Sequence, residues 1–205
     1  MRYAIPALAP GAIHSHSLEI DKSRFITWVA HAPDAAAFDR LLNEARATYP
    51  DASHHCSAFI AGAPGEQVAI GFSDDGEPGG TAGRPMFQAL EGSGLGQIAV
   101  VVTRYFGGIK LGTGGLVRAY TQAVTQALES LPRREFTERM QRRVRVGFAL
   151  EAQARHWLQA HEVPVEAADY DGQGVTLTLA WPADDSLDLG LLAQRLRGEL
   201  ECLDE

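Results

Sequence analysis

Thr103-Arg104-Tyr105-Phe106-Gly107-Gly108-Ile109-Lys110-Leu111-Gly112-Thr113-Gly114-Gly115-Leu116-Val117-Arg118 reads as the end of a strand, a glycine-rich loop and the start of a helix. Upstream, Gln97 to Thr103 is an apolar run of strand length, which predicts a buried strand. Downstream, Leu116, Tyr120, Val124, Leu128 and Leu131 recur at helical spacing with Val117 alongside, so a helix is expected from near Gly114 until Pro132 ends it. A strand, a glycine loop and a helix in this order is the layout of an anion site. Glycines let backbone N–H groups converge, and a helix N-terminus adds partial positive charge. Arg104, Tyr105, Gly107, Gly108, Lys110, Gly112, Thr113, Gly114, Gly115 and Arg118 are therefore the candidate anion- or partner-binding residues. Arg118 carries particular weight, because a cation in a first helical turn opposes the macrodipole and points to a negative partner. The competing reading is structural: the glycines serve close strand-to-helix packing and Arg118 pairs with Asp74, Asp75 or Glu77. The spacing matches neither a nucleotide phosphate loop nor a dinucleotide fingerprint.

A second dense stretch, Ser73-Asp74-Asp75-Gly76-Glu77-Pro78-Gly79-Gly80-Thr81-Ala82-Gly83, places three carboxylates and four glycines in eleven residues after a strand. Asp74, Asp75, Gly76, Glu77 and Thr81 form an acidic candidate loop, suited to a hard cation or to a contact surface. The alternative is a solvated turn in which aspartates cap backbone amides. Its length, close to the limit for structureless loops in compact domains, favours a functional role. A third cluster, His54-His55-Cys56, enters a strand with His54 and Cys56 on one face and His55 on the other. These three form a candidate pocket. Without a second Cys/His pair at ligand spacing no metal site is assigned to them, and nothing in the residues names a cofactor. Cys56 and Cys202 are the only cysteines and are read as reduced thiols.

Around these motifs, Phe25 to Ala30, Cys56 to Ile60 and Gln67 to Phe72 read as strands, with Ile13 to Ile20 as an edge strand. Asp34 is placed to cap a helix over Phe38, Leu41, Leu42 and Ala45, and Pro85 to open a shorter one through Leu90. Arg133 to Arg143 is polar and without apolar period, which predicts a linker and a second unit from about Arg142. In that unit Val144 to Leu150 alternate as a strand, Ala152 to His161 is a helix, and Val163 to Tyr170 with Val175 to Trp181 form a hairpin. Leu189, Leu192, Leu196 and Leu200 mark a closing helix. The expected division is 1–135 and 136–205. The second part holds 13 acidic and 7 basic side chains against 13 and 11 in the first, so it is the acidic module.

The 205 residues suit one ordinary or two small domains, 45% hydrophobic with 21% charged residues supports a globular chain with a real core, and the mixture of strands and helices read above makes the expected class α+β. A net charge of −8 excludes sequence-independent attraction to phosphate over the whole surface, so a nucleic-acid site must be a local patch. The sequence has neither an 18-residue apolar run nor a basic-then-apolar leader, which predicts a cytoplasmic protein without a membrane contact.

Ala58-Phe59-Ile60, Ser73-Asp74-Asp75-Gly76-Glu77-Pro78 and the stretch from Val102 to Tyr120 together resemble the IMPACT family, and within it a bacterial branch. The resemblance is strong over residues 20–130. It implies an N-terminal domain resembling a ribosomal-protein and sugar-kinase-like βαβ fold, with a glycine-rich loop before a helix facing a ligand. A small ferredoxin-like domain, similar to one of elongation factor G, would follow. Eukaryotic members of the family regulate translation through a protein partner. The resemblance therefore implies a translation-linked regulatory or binding module that contacts RNA, the ribosome or a translation-associated protein through the glycine-rich loops. The rival expectation is an enzyme or switch that takes a phosphorylated or carboxylate small molecule at the same loops, with His54, His55 or Asp75 as base.

Overall fold

The computed structural model describes residues 1–67, 69–184 and 186–203. The chain divides into two compact units, Tyr3–Phe136 on the one hand and Met1–Arg2 with the segment from Thr137 onward on the other. In the larger unit, β2 (His14–Ile20), β3 (Ser23–His31), β4 (His54–Ile60), β5 (Ile70–Ser73) and β6 (Ile98–Tyr105) form one sheet in the order β2-β3-β6-β4-β5. Every neighbouring pair is antiparallel. β3 and β4 therefore run parallel with β6 between them, joined by α1 (Ala35–Thr48) in a split strand-helix-strand crossover.

β6 reads as an unbroken apolar run because both of its faces are covered. Ile98, Val100 and Val102 share a core with Phe25, Cys56 and Ile60 under α2 (Gly83–Ser93) and α3 (Gly112–Glu129). Ala99 and Val101 face the other way, with Ile26, Trp28, Leu41 and Ala45 of α1. α1 begins as expected, with Asp34 accepting from the Ala37 N–H at 2.7 Å. The third strand is shorter than Gln67 to Phe72, and Val68 within that expectation lies outside the described residues. α3 starts at Gly112 rather than Gly114. That places Arg118 in the second turn, where the macrodipole has fallen away, so the sequence argument from an opposed dipole does not apply.

The polar segment expected to be a linker is two strands. β7 (Arg133–Thr137) pairs with β1 (Arg2–Pro6), a strand without a sequence signal, in a two-stranded ribbon. β8 (Arg139–Val146) lies inside the four-stranded sheet of the smaller unit, in the order β11-β8-β10-β9 with β9 (Val165–Tyr170), β10 (Val175–Pro182) and β11 (Glu201–Cys202). Only Val144 and Val146 of β8 are fully buried, so its arginine-rich remainder hides the strand period. α4 (Phe148–Ala160) and α5 (Leu189–Arg195) complete this unit around Leu158, Leu177, Leu179 and Leu192. The closing helix stops short of Leu200 because Arg197 and Gly198 adopt φ of 56° and 83° and turn the chain into β11.

The core clusters of the larger unit lie wholly between Phe25 and Leu131, and that of the smaller unit between Val144 and Leu196. A chain cut after Phe136 is expected to unfold as one cooperative transition in urea. An aggregating product without such a transition would sink this expectation.

Candidate functional site

Parts of the acidic loop, of the His54–Cys56 segment and of the stretch from Arg104 onward meet at one end of the five-stranded sheet, on the face that carries α2 and α3. Glu77 is buried at 8% exposure, and its Oε1 accepts from Arg104 Nη1 at 2.6 Å and from the Tyr120 hydroxyl at 2.7 Å. Arg104 comes from the end of β6 and is itself 5% exposed, with Nη2 3.4 Å from Ser23 Oγ and the guanidinium over the Phe25 ring. Its Nε is buried without a hydrogen-bond partner. The anion expected at Arg104 is thus supplied internally by Glu77.

His54 stands opposite Arg104 in register on β4. Its Nδ1 is 2.8 Å from the Asp75 carbonyl, so Nδ1 carries the proton, and Nε2 lies 3.7 Å from Glu77 Oε2. The Cys56 thiol donates to the Asp74 carbonyl at 3.0 Å and lies 3.3 Å from the Tyr120 hydroxyl. Burial pushes both the Cys56 thiol and the Tyr120 phenol well up, which leaves Cys56 protonated and inert as a nucleophile. His55 faces the other side of the sheet, with Nδ1 3.0 Å from Thr103 Oγ1, and burial lowers its pKa.

The three carboxylates of the acidic loop point to three different tasks. Asp74 accepts from the Gly80, Ala82 and Gly83 N–H groups at 2.8, 3.0 and 2.8 Å, and so caps the start of α2. Burial would raise its carboxyl, but these donors outweigh burial and hold it below the ordinary carboxylate value. Asp75 adopts φ of 42° and Gly76 of 86°, a left-handed pair that turns the Asp75 carboxylate toward Arg46 Nη2 at 3.1 Å and the His55 N–H at 2.7 Å. Glu77 turns inward. Thr81 closes the loop by donating to the Pro78 carbonyl at 2.6 Å. Among the described residues no group of three or more His, Cys, Asp or Glu side chains converges to hold a metal.

The glycine-rich stretch is divided. Tyr105 belongs to the α1 face, where its hydroxyl donates to Asp51 Oδ1 at 2.8 Å and Arg24 lies 4.9 Å from its ring centroid. Gly107 packs so closely on the turn before β3 that a Cβ there would overlap the Lys22 carbonyl, and its N–H donates to Ser23 Oγ at 3.2 Å. From Gly108 the chain is surface. Phe106, Ile109 and Val117 are 50%, 43% and 37% exposed, and Lys110, Gly112, Thr113, Gly114 and Arg118 are exposed beside them. Leu111 is the N-cap of α3, and no side chain caps the first turn. Asp75 is paired with Arg46 and Glu77 with Arg104, so the acidic loop has its cations without Arg118.

Ser23, Arg46 and Tyr120 belong to this cluster and were not singled out in the sequence. Tyr120 had a readable signal, since a tyrosine on a buried apolar stripe needs a partner for its hydroxyl.

The Impact N-terminal domain pattern matches residues 21–128, which contain the whole cluster. The chain belongs to the IMPACT family. IMPACT family member YigZ of Escherichia coli strain K12 is 55% identical over 124 residues, 60% of this chain. That match spans 61% of the E. coli protein. An IMPACT family member encoded in the pol 5' region of Thermus thermophilus is 37% identical over 163 residues, 80% of this chain and 86% of that one. A crystal structure of a hypothetical protein is similar at 41% identity and a TM-score of 0.69, over 100% of this chain and 97% of that one. The IMPACT pattern thus coincides with the unit whose two loops are tied together by the Glu77–Arg104 pair.

Proposed function

We propose that this IMPACT-family chain is a translation-linked regulatory module that binds RNA, free or on the ribosome, through the surface from Phe106 to Arg118. The translation link follows the eukaryotic members of the family. The observation that carries the RNA reading is charge: from Tyr105 to Leu128 the chain has Lys110 and Arg118 and no carboxylate, in a protein of net charge −8. An exposed Phe106 offers a face for a base to stack on, and the uncapped start of α3 offers N–H groups to a phosphate. The reading also takes the larger unit as the ribosomal-protein-like fold, supported by its split strand-helix-strand crossover, and the smaller one as ferredoxin-like. For the latter the support is its βαββαβ order with the first strand between the fourth and the third. No helix of the described residues is long and apolar enough to cross a membrane, and the cytoplasm is the compartment where such a module would work.

Because Arg104 is committed to Glu77, the stretch from Phe106 to Arg118 offers phosphate two exposed cations, Lys110 and Arg118. Single-stranded RNA binding, followed by fluorescence anisotropy, should weaken with salt at a log–log slope of about 1.4, from ~0.7 per neutralised phosphate. Lys110→Ala with Arg118→Ala should remove most of the binding while circular dichroism stays unchanged. No binding at low salt would overturn the RNA reading and leave a protein partner.

A further inference from the structure

The outer face of α3 runs through Arg118, Thr121, Gln122, Thr125, Gln126 and Glu129, exposed apart from half-buried Gln126. A solvent-facing stripe of this length ordinarily carries interleaved charges at i and i+4. This one has a cation at its N-terminal end, an anion at its C-terminal end and only uncharged residues between. The Thr121 and Thr125 hydroxyls donate to the Val117 and Thr121 carbonyls, each at 2.8 Å, so their protons are used within the helix. Among the described residues Arg118 and Glu129 have no ion pair or hydrogen bond through their side chains. Glu129 is also the last residue of α3, at the negative end of its own helix, where a carboxylate is unfavourable.

The stripe is complementary to itself in reverse. Turned about the midpoint between Ala123 and Val124, it sets Arg118 over Glu129, Thr121 over Gln126 and Gln122 over Thr125. That is the condition for a contact with two-fold symmetry, in which the same patch serves both copies. Beside the stripe lies an open groove of about 450 Å³ between α2 and α3, where Ala89, Gly92 and Ser93 of α2 leave room for a second helix, and whose lining also includes Glu129 and Arg133. We propose that α3 is a self-association face on which two copies of this chain pair antiparallel, with two symmetry-related Arg118–Glu129 contacts at the ends of the stripe. The pairing brings Glu129 toward the N-terminal half of the other copy's α3 and relieves its position at the negative end of its own.

This goes beyond the RNA reading, and Arg118 stands at the edge of both surfaces, so association is measured without RNA. Sedimentation equilibrium of the full chain at low salt, over a concentration series, should show a monomer–dimer equilibrium. Arg118→Glu alone and Glu129→Arg alone each turn two attractive contacts into two repulsive ones and should weaken association about tenfold or more. The double variant Arg118→Glu/Glu129→Arg should recover the wild-type dimer. An equimolar mixture of the two single variants should also associate, because every cross-helix contact is then again between opposite charges. Both residues are exposed, and far-ultraviolet circular dichroism checks that each variant is folded. A wild-type chain that stays monomeric throughout, or single variants that dimerise as well as the wild type, would overturn the proposal. So would a double variant that fails to recover.

Discussion

Glu77→Ala is expected to destabilise the larger unit by about 3–5 kcal/mol, the range for removing one partner of a buried ion pair. The alanine leaves the 5% exposed Arg104 guanidinium without its 2.6 Å carboxylate and the Tyr120 hydroxyl without its 2.7 Å acceptor. Arg104 already has a buried Nε with no partner, so no spare acceptor stands by to take over. Glu77→Gln should cost less, because an amide oxygen can still accept from Tyr120. Taking out both charges, with Glu77→Leu and Arg104→Met, should restore much of the loss, since desolvation then has no lone charge to act on. Urea denaturation reads all three. A loss below ~1 kcal/mol for the alanine variant would mean that water reaches Arg104 and that the pair does not hold the two loops together.

Asp74→Ala ranks next, at roughly 3 kcal/mol. Hydrogen bonds to a charged group contribute ~1.5–3 kcal/mol each and do not add in full, and Asp74 is part-exposed, which screens it. Asparagine at this position keeps an acceptor for the Ala82 and Gly83 N–H groups that Oδ1 now serves, but sets an NH₂ against the Gly80 N–H. Its loss should be smaller, about 2 kcal/mol. The pH dependence separates this from a general loss of packing. The carboxyl of Asp74 is lowered in the folded state, so its contribution is present above the unfolded value of ~3.9 and is lost as pH falls through the folded value. His55 is also lowered, by burial, so its contribution is lost earlier, as pH drops below ~6.5. Asp74→Asn should therefore keep the wild-type decline that sets in below about pH 6.5 and flatten the one that sets in below about pH 4. Equal flattening in both windows would show that the cap on α2 is not the source.

How far the sequence reaches depends on whether a feature is written in spacing or in distance. The strand–loop–helix from Gln97 to Leu131, the capped α1 and the alternation of His54, His55 and Cys56 all lie in residues a few positions apart, where periodicity and capping chemistry act directly. The family was readable on the same ground, since its motifs are continuous strings. Arg133 to Arg143 was misread because a strand with one open face and a two-stranded ribbon bury too little to leave an apolar period. β1 left no mark, its partner β7 being over a hundred residues away. The closing helix was overextended because the sequence pattern continues through Leu200, while positive φ at Arg197 and Gly198 turns the backbone.

The pairing of charges was decided by tertiary structure alone. Residues 73–118 offer four carboxylates and four cations, and the sequence allows many matches among them. Strand register sets Arg104 opposite His54, the fold carries Tyr120 of α3 and Glu77 of the loop to the same point, and Arg46 arrives from α1 to take Asp75. Local pattern determined the strand–loop–helix from Gln97 to Leu131 and the capped α1, because those preferences are settled within a few residues. Which cation is spent inside the protein and which is left at the surface was settled by burial. A charge removed from water must find its counter-charge within about 3 Å, and only the assembled sheet and helices bring the two together.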